Sequence, residues 1–287
     1  MLEEQQMDWL HEIEVVLFDL DGTLYQDGKF YKRYLELLFH EGNYAASLDE
    51  ILEEMECLLE GKHTSSIGNW YHPSTDTWTR ETLGDQLHVT HYTWKGTEAD
   101  VETNQSTNIP VIYAGDAWSL VSIFTVKYGI EEAQRQQAFQ QVRKEMLQGA
   151  SSFERHAGLY EAIGQLTDVR MKLLLTNSPE NTGREFIAAL GSSDLFTDIV
   201  YGAGKPTGLE HYMNELMKRE GLRPEQILSI GDHAWNDLYP VRKLGGRTAW
   251  ISAYPSSDPS PWDVRMTTLD ELAALLKDIQ QVKYSKI

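Results

Sequence analysis

Four short apolar runs lie at wide intervals along the chain, at residues 14–20 (EVVLFDL), 171–176 (MKLLLT), 226–231 (QILSIG) and, more weakly, 247–252 (RTAWIS). Such runs are typical of strands that are buried on both faces of a parallel sheet. Helical periodicity occurs between or after them, at residues 159–167, 184–190, 209–220, 236–244 and 269–282. The alternation predicts an α/β fold. Asp19, Thr176 and Asp232 each lie where a predicted strand ends, which is where such folds carry their sites.

Residues 29–148 interrupt this alternation and separate the first strand from the rest of the sheet. Amphipathic patterns predict one pair of helices over residues 30–40 and 47–60, and a second pair over residues 118–128 and 131–147 that is broken at Gly129. Ser47 and Glu50 have the spacing of a capping box at the start of the second helix. The interruption predicts an inserted domain that is mainly helical.

Residues 61–110 lie between the two helical pairs and are polar and rich in Thr, His and Trp. Partial period-two alternation over residues 87–94 favours a loop that could include a β-hairpin. The spacing of His63, His72, His88 and His91 matches no zinc pattern, so we interpret these histidines as part of a hydrophilic loop. The tryptophans fit the small core of an insert better than a surface on which sugars stack.

Composition restricts the class of protein further. With 287 residues and 41% hydrophobic content, the chain is long enough for one large domain or for one domain with a sizeable insert. No apolar run approaches the roughly 20 residues that span a bilayer, and the start MLEEQQMDWLHEIE lacks the basic and apolar regions of a signal peptide. We therefore expect a cytoplasmic protein without a membrane partner. Cys57 is the single cysteine, which excludes an intrachain disulfide and a cysteine-based zinc site.

The formal net charge of -19 argues against nucleic acid as a partner, because most of the surface repels phosphate backbones. A protein of this charge that handles an anionic phosphate needs local positive charge. A divalent cation and one well-placed lysine are the simplest source of that charge.

Asp19 and Asp21 form a pair of acids, because an extended backbone points side chains two residues apart in the same direction. Gly22 then permits a sharp turn, and Thr23 can hydrogen-bond within it. The surrounding segment, VVLFDLDGTLY, resembles the first signature of the haloacid dehalogenase superfamily, most of whose members are phosphatases.

The other three signatures of that superfamily occur in the expected order. Thr176 in LLLTNS resembles the second signature, and Lys205 in GKPTG resembles the third. Asp232 and Asp237 in IGDHAWNDL resemble the acidic pair of the fourth, although the bulky His233 stands where a small residue is common. The resemblance implies a Rossmann-like parallel sheet core, residues 12–28 and 149–287, with an inserted, mainly α-helical cap, residues 29–148, in which residues 61–110 are atypical.

The resemblance also implies a role for each signature residue. Asp19 would attack phosphorus and carry a transient phosphoaspartate. Asp21 would protonate the leaving oxygen and then deprotonate the attacking water. Thr176, Asn177 and Lys205 would bind the phosphate oxygens, and Lys205 would also pair with Asp19.

A magnesium ion follows from the same pattern. Carboxylates that face a phosphate would repel it by about 4 kcal/mol for each pair of charges roughly 4 Å apart at an effective dielectric of about 20. The family pattern offsets this with Mg²⁺ bound by the Asp19 carboxylate, the Asp21 backbone carbonyl and the Asp232 carboxylate. Asp237 would hold a ligand water or Lys205 from outside this shell.

We therefore expect a magnesium-dependent phosphomonoester hydrolase of a small phosphorylated metabolite. The dehalogenases of the family act on carbon and differ at the second acid, so Asp21 favours phosphorus as the electrophile. Two alternatives use the same residues: a phosphomutase or phosphotransferase with the same intermediate, and a non-catalytic protein that binds phosphorylated metabolites.

Overall fold

The computed structural model describes residues 7–40, 42–83, 87–100, 110–150, 153 and 155–284. Its strands are β1 (Val15–Phe18), β2 (Trp70–His72), β3 (Thr77–Leu83), β4 (Leu87–Thr93), β5 (Ile112–Tyr113), β6 (Met171–Leu175), β7 (Asp198–Val200), β8 (Ile227–Gly231), β9 (Arg247–Ile251) and β10 (Val264–Met266). Its α-helices are α1 (Phe30–Phe39), α2 (Leu48–Leu59), α3 (Ala117–Lys127), α4 (Glu132–Glu145), α5 (Ala157–Gln165), α6 (Glu180–Ala189), α7 (Thr207–Glu220), α8 (Tyr239–Lys243) and α9 (Leu269–Tyr284). Parts of the predictions about the chain start, the insert and the domain boundary fall on residues 1–6, 101–109 and 151–152, which lie outside the described residues.

The chain divides into two compact units. The core unit contains Met1–Gln26, Phe153–Ser252 and Trp262–Ile287, and the insert unit contains Asp27–Ser152 and Ala253–Pro261. The last of these segments corrects the sequence-based boundaries, which assigned all of residues 149–287 to the core. Within the insert unit, the backbone amide of Ser257 donates to the carbonyl of Ile67 at 2.8 Å. The segment is polar and rich in proline, so no periodic pattern marks this change of unit.

The core unit is built on a six-stranded sheet in the order β10-β9-β8-β1-β6-β7, in which every neighbouring pair is parallel. Strand β1 is central and fully buried, since it pairs with β6 on one side and with β8 on the other. The α/β prediction is confirmed. Strands β7 and β10 were not predicted, because each has only three residues and β7 is partly exposed.

An apolar cluster on one face of this sheet holds β1 in place. Val15 and Leu17 of β1 point into it, together with residues of β6, β8, α7 and α8: Leu173, Leu175, Leu209, Met213, Leu216, Ile227 and Val241. Full burial of one such aliphatic side chain contributes about 1.5–3 kcal/mol. Since Asp19 follows β1 directly, this packing determines where the first signature residue lies.

The insert unit combines helices α1–α4 with a four-stranded antiparallel sheet in the order β4-β3-β2-β5. The described part of residues 61–110 is therefore not a simple loop, since it contributes β2, β3 and β4. Alternation over residues 87–94 correctly indicated a strand, and β3 and β4 form the hairpin. Trp78 and Trp94 are buried, and both rings lie against Tyr71, as expected of a small core.

One local prediction in the insert unit was wrong. Ser47 precedes α2, but its side chain makes no capping hydrogen bond, so the predicted capping box with Glu50 does not form. Ser47 has φ of -105° and ψ of 2°, outside the extended conformation that an N-cap residue usually adopts.

None of the helices within the described residues is both long enough and apolar enough to cross a bilayer.

The position of β1 leads to a prediction about stability. Leu17→Ala should lower the free energy of unfolding by about 2–5 kcal/mol, because it removes a side chain that is 2% exposed from the central apolar cluster. Leu83→Ala makes the same change on β3, where the side chain is 63% exposed, and should cost no more than about 0.5 kcal/mol. Chemical denaturation followed by circular dichroism measures both. Equal losses would contradict the assignment of Leu17 to the core.

Candidate active site

Three signature residues lie at the same edge of the core sheet. Asp19 follows β1, and its amide donates to the carbonyl of Ile230 in β8 at 3.0 Å. Thr176 follows β6, and Asp232 follows β8. Because β1 lies between β6 and β8 in a parallel sheet, the three carboxyl ends are neighbours although their residues are far apart in sequence.

Lys205 brings a positive charge to this edge. Its Nζ lies 2.5 Å from Oδ1 of Asp19 and 2.6 Å from Oδ1 of Asp237, and all three side chains are buried. The Asn177 side chain fixes the lysine backbone, because Lys205 N donates to Asn177 Oδ1 at 2.8 Å and Asn177 Nδ2 donates to the Lys205 carbonyl at 3.2 Å. The side-chain amide of Asn177, which was predicted to contact phosphate, therefore also holds the backbone of Lys205 in place.

The buried ion pairs change the protonation of both partners. Burial raises the pKa of Asp19 to about 8; Lys205 opposes this shift, and the charges of Asp237 and Asp21 add to it. Burial lowers the pKa of Lys205, but the carboxylates of Asp19 and Asp237 more than reverse that effect, so its pKa lies above the ordinary value. The lysine is a permanent cation, whereas burial favours the neutral form of Asp19 and further positive charge nearby would favour its ionised form.

Asp237 is held in place by a π-helical turn, Ala234–Leu238. Its Oδ2 accepts a hydrogen bond from the amide of His233 at 3.0 Å, and its carbonyl accepts one from Ser229 Oγ at 2.8 Å. His233, the bulky residue of the fourth signature, caps this turn through its ring, which accepts from the Asn236 amide at 3.2 Å. π-Helical turns are rare and occur often at functional sites.

Asp19, Asp232 and Asp237 form an acidic cluster in which one carboxylate oxygen from each lies within 4.8 Å of the others. Close approach at Gly22 makes room for it: Gly22 has φ of 77°, and an added Cβ would lie 2.0 Å from Oδ2 of Asp232. Trp250 Nε1 donates to the carbonyl of Asp232 at 2.6 Å and holds the backbone of that residue in place. Clustered carboxylate oxygens are the donor set that Mg²⁺ prefers, so these residues fit a magnesium ion.

The side chain of Asp21 is not part of this acidic cluster. Its Oδ1 accepts a hydrogen bond from the Tyr25 hydroxyl, and its Oδ2 accepts one from Ser178 Oγ at 2.8 Å. Thr176 is 1% exposed, and its Oγ1 accepts from the amide of Ser178 at 3.0 Å. Sequence reasoning did not identify Tyr25 or Ser178, although each lies within four residues of a signature residue.

Two histidines of the insert unit, His72 and His91, lie close to the same hydroxyl group. The Thr79 hydroxyl lies 2.6 Å from His72 Nε2 and 2.9 Å from His91 Nδ1. Within the described ranges, the cluster of Asp19, Asp232 and Asp237 is the sole group of three or more acidic, histidine or cysteine side chains close enough to share an ion.

Comparison with known protein families identifies a matching family. A family model described as haloacid dehalogenase-like hydrolase matches residues 13–245. A search of curated proteins finds no match.

Several solved structures share the fold. A protein from Haemophilus somnus 129PT, described as a predicted phosphoglycolate phosphatase, is 16% identical with a TM-score of 0.52, over 92% of this chain and 98% of that chain. A Thermotoga maritima protein assigned as a β-phosphoglucomutase is 12% identical with a TM-score of 0.52, over 93% and 99%. A Bacillus subtilis protein assigned as a HAD hydrolase, YfnB, bound to magnesium, is 18% identical with a TM-score of 0.50, over 92% and 98%. At these identities, the likeness concerns the fold alone.

The family model covers more than half of the chain, and the residues that resemble the four signatures all lie within the matched region. The chain therefore belongs to the haloacid dehalogenase-like hydrolase family.

Proposed function

We propose that the chain is a magnesium-dependent phosphomonoester hydrolase of a small phosphorylated metabolite, and that Asp19 carries the phosphoryl group between its two steps. The observation that carries this proposal is the contact of the Asp19 carboxylate with Lys205 inside a cluster of carboxylates at the strand ends. Membership of a hydrolase family supports hydrolysis, and the presence of a second acid, Asp21, favours phosphorus as the electrophile.

Asp19 is the nucleophile in this proposal. Its Oδ1 contacts Lys205, so the carboxylate has one preferred orientation and a permanent cation beside it. In the first step, a carboxylate oxygen attacks phosphorus in line with the ester bond, and the alcohol leaves. The carboxylates of Asp19 and Asp232 and the backbone carbonyl of Asp21 would hold Mg²⁺, which would supply positive charge beside Asp19 and the phosphate.

Asp21 transfers the protons. It gives a proton to the leaving oxygen in the first step and takes one from the attacking water in the second. The hydroxyl groups of Tyr25 and Ser178 each donate one hydrogen bond to the carboxyl group, and a carboxylate oxygen can accept two. Proton transfer in both directions is therefore compatible with the observed contacts.

Thr176 and Lys205 bind the phosphate oxygens. The Thr176 oxygen accepts from the Ser178 amide through a lone pair, so its own O–H remains a donor. The ammonium of Lys205 has three donors, and Asp19 and Asp237 take two of them. Asn177 contributes by fixing the backbone of Lys205, and Asp237 by fixing its ammonium group.

A small anionic metabolite suits this site better than a polymer. The chain carries a net charge of -19, which repels nucleic acids over most of the surface, whereas a single phosphate is bound by the local cation and lysine.

A phosphate-release screen over small phosphorylated metabolites tests the proposal. We expect release of inorganic phosphate that requires Mg²⁺ and falls to background in Asp19→Asn, because the amide is neither a competent nucleophile nor a good magnesium ligand. Asp194→Asn makes the same chemical change at an exposed residue outside the acidic cluster and should keep wild-type activity.

Two outcomes would overturn parts of this assignment. Full activity of Asp19→Asn would exclude Asp19 as the nucleophile. Conversion of a sugar phosphate into an isomer without free phosphate, detected by product analysis, would identify a phosphomutase in place of a hydrolase.

Asp21→Asn should separate chemistry from metal binding. We expect kcat to fall by about 10²- to 10⁴-fold, the usual contribution of acid–base catalysis. The affinity for Mg²⁺, measured by calorimetry, should stay close to that of the wild type, because the ligand from this residue is its backbone carbonyl. A parallel loss of magnesium affinity would show that the side chain itself binds the ion.

Removal of the Lys205 charge should destabilise the protein in the absence of Mg²⁺. Lys205→Met leaves Asp19 and Asp237 buried without their cation, so we expect a loss of about 3–5 kcal/mol in the free energy of unfolding. Lys243→Met removes an exposed ion pair with Glu210 and should cost at most about 1 kcal/mol. Denaturation in EDTA measures both, and losses of the same size would argue against a structural role for the buried ion pair.

A further inference from the structure

Two hydroxyl groups contact the two carboxylate oxygens of Asp21. The Tyr25 hydroxyl donates to Oδ1, and Ser178 Oγ donates to Oδ2 at 2.8 Å. Tyr25 comes from the turn after β1, and Ser178 comes from the loop after β6. Residues from two neighbouring strand ends therefore meet at one carboxyl group.

Both donors are themselves fixed by their surroundings. Tyr25 is 1% exposed, and its ring packs edge-on against Phe153 at 4.7 Å and in a tilted orientation against Phe186 at 5.6 Å between ring centroids. Ser178 is buried, and its amide donates to the Thr176 hydroxyl oxygen at 3.0 Å. A buried ring and a bonded backbone leave these hydroxyls little freedom to move.

The contacts restrict a rotation that is otherwise free. The terminal torsion of an aspartate is broad, so its carboxyl plane has no strong intrinsic preference. Donors on different oxygens, supplied from different elements, define that plane. The two hydrogen bonds therefore fix the orientation of the carboxyl group.

We propose that Tyr25 and Ser178 are positioning residues that aim the Asp21 carboxyl group at the leaving oxygen of the substrate. This inference rests on the proposed phosphohydrolase function. A carboxylate oxygen of Asp19 forms the new bond to phosphorus as the P–O ester bond breaks. The electron pair of the ester bond stays on the leaving oxygen, and the proton of the Asp21 carboxyl group passes to that oxygen. The products of the step are a phosphoaspartate at Asp19, a neutral alcohol and an Asp21 carboxylate that accepts hydrogen bonds from both hydroxyls.

The choice of leaving group reveals whether a residue acts through Asp21. A 4-nitrophenolate is stable as an anion and departs without a proton, whereas a phenolate of higher pKa departs far more easily when it is protonated. kcat/KM reports the steps up to departure of the alcohol. A positioning residue for the proton donor should therefore affect poor leaving groups selectively.

The experiment measures kcat/KM with Mg²⁺ for substituted phenyl phosphates, from 4-nitrophenyl to 4-methoxyphenyl phosphate. Tyr25→Phe and Ser178→Ala should each lower kcat/KM for 4-methoxyphenyl phosphate by up to about 100-fold, the scale of a small misplacement of a catalytic group. The value for 4-nitrophenyl phosphate should stay nearly unchanged. In the Asp21→Asn background, Tyr25→Phe should have no additional effect, because residues that act through one group are not additive.

Tyr160→Phe is the matched control. Tyr160 is also 1% exposed, and its hydroxyl donates to the carbonyl of Leu24 at 3.0 Å, so the variant loses one buried hydrogen bond in the same unit. Its dependence on the leaving group should match that of the wild type. Ser178→Ala provides an independent measurement in case Tyr25→Phe does not fold.

Three results would overturn the inference. A uniform loss across the series in both variants would indicate a purely structural role, and unchanged kinetics would indicate no role. If Asp21→Asn shows the selective loss and neither hydroxyl variant does, the inference fails while the proposed function stands. A folded wild-type protein that hydrolyses none of the esters with Mg²⁺ overturns both.

Discussion

Lys205 places one positive charge between two buried carboxylates, and the candidate active site is built around that contact. Burial of charged groups costs several kcal/mol for each ion unless the geometry of the pairing is good. The short distances from Nζ to Asp19 and Asp237 supply that geometry. Asn177 grips the lysine backbone, and the π-helical turn presents Asp237 to its ammonium group. Both contacts hold the lysine in a buried position, where its charge lies beside the carboxylates and away from solvent.

At two glycines, the backbone lies very close to a carboxylate of the acidic cluster. Gly22 leaves the space that the Asp232 carboxylate occupies, and Gly231 does the same for Asp237, since a Cβ there would lie 2.4 Å from the Cβ and Oδ2 of that residue. The acidic cluster therefore depends on two missing side chains as well as on the three carboxylates that are present. Substitution at either glycine would move a carboxylate away from the shared position.

The sequence was informative where a residue's place follows from a repeated local pattern. Asp19, Thr176 and Asp232 end apolar runs, and a parallel sheet necessarily brings such ends to one edge, so their proximity could be predicted. Tyr25 and Ser178 could not be identified in this way, because a single hydroxyl group leaves no periodic signal, and the partner of Ser178 lies 157 residues away in the sequence. The three-residue strands β7 and β10 lack a pattern for the same reason, as they are too short to show one.

The segment Ala253–Pro261 has a consequence for the order in which the protein can fold during synthesis. It begins more than 100 residues after the rest of the insert unit ends. Ser256 and Ser257 of this segment nevertheless donate hydrogen bonds to the carbonyl of Ile67 in the insert unit. When synthesis has reached residue 152, the insert unit therefore still lacks its last segment, Ala253–Pro261. Domains generally fold as units, beginning at the N-terminus, during synthesis. This insert unit can reach its final structure only after Ala253–Pro261, which follow β9 in the chain, have been made.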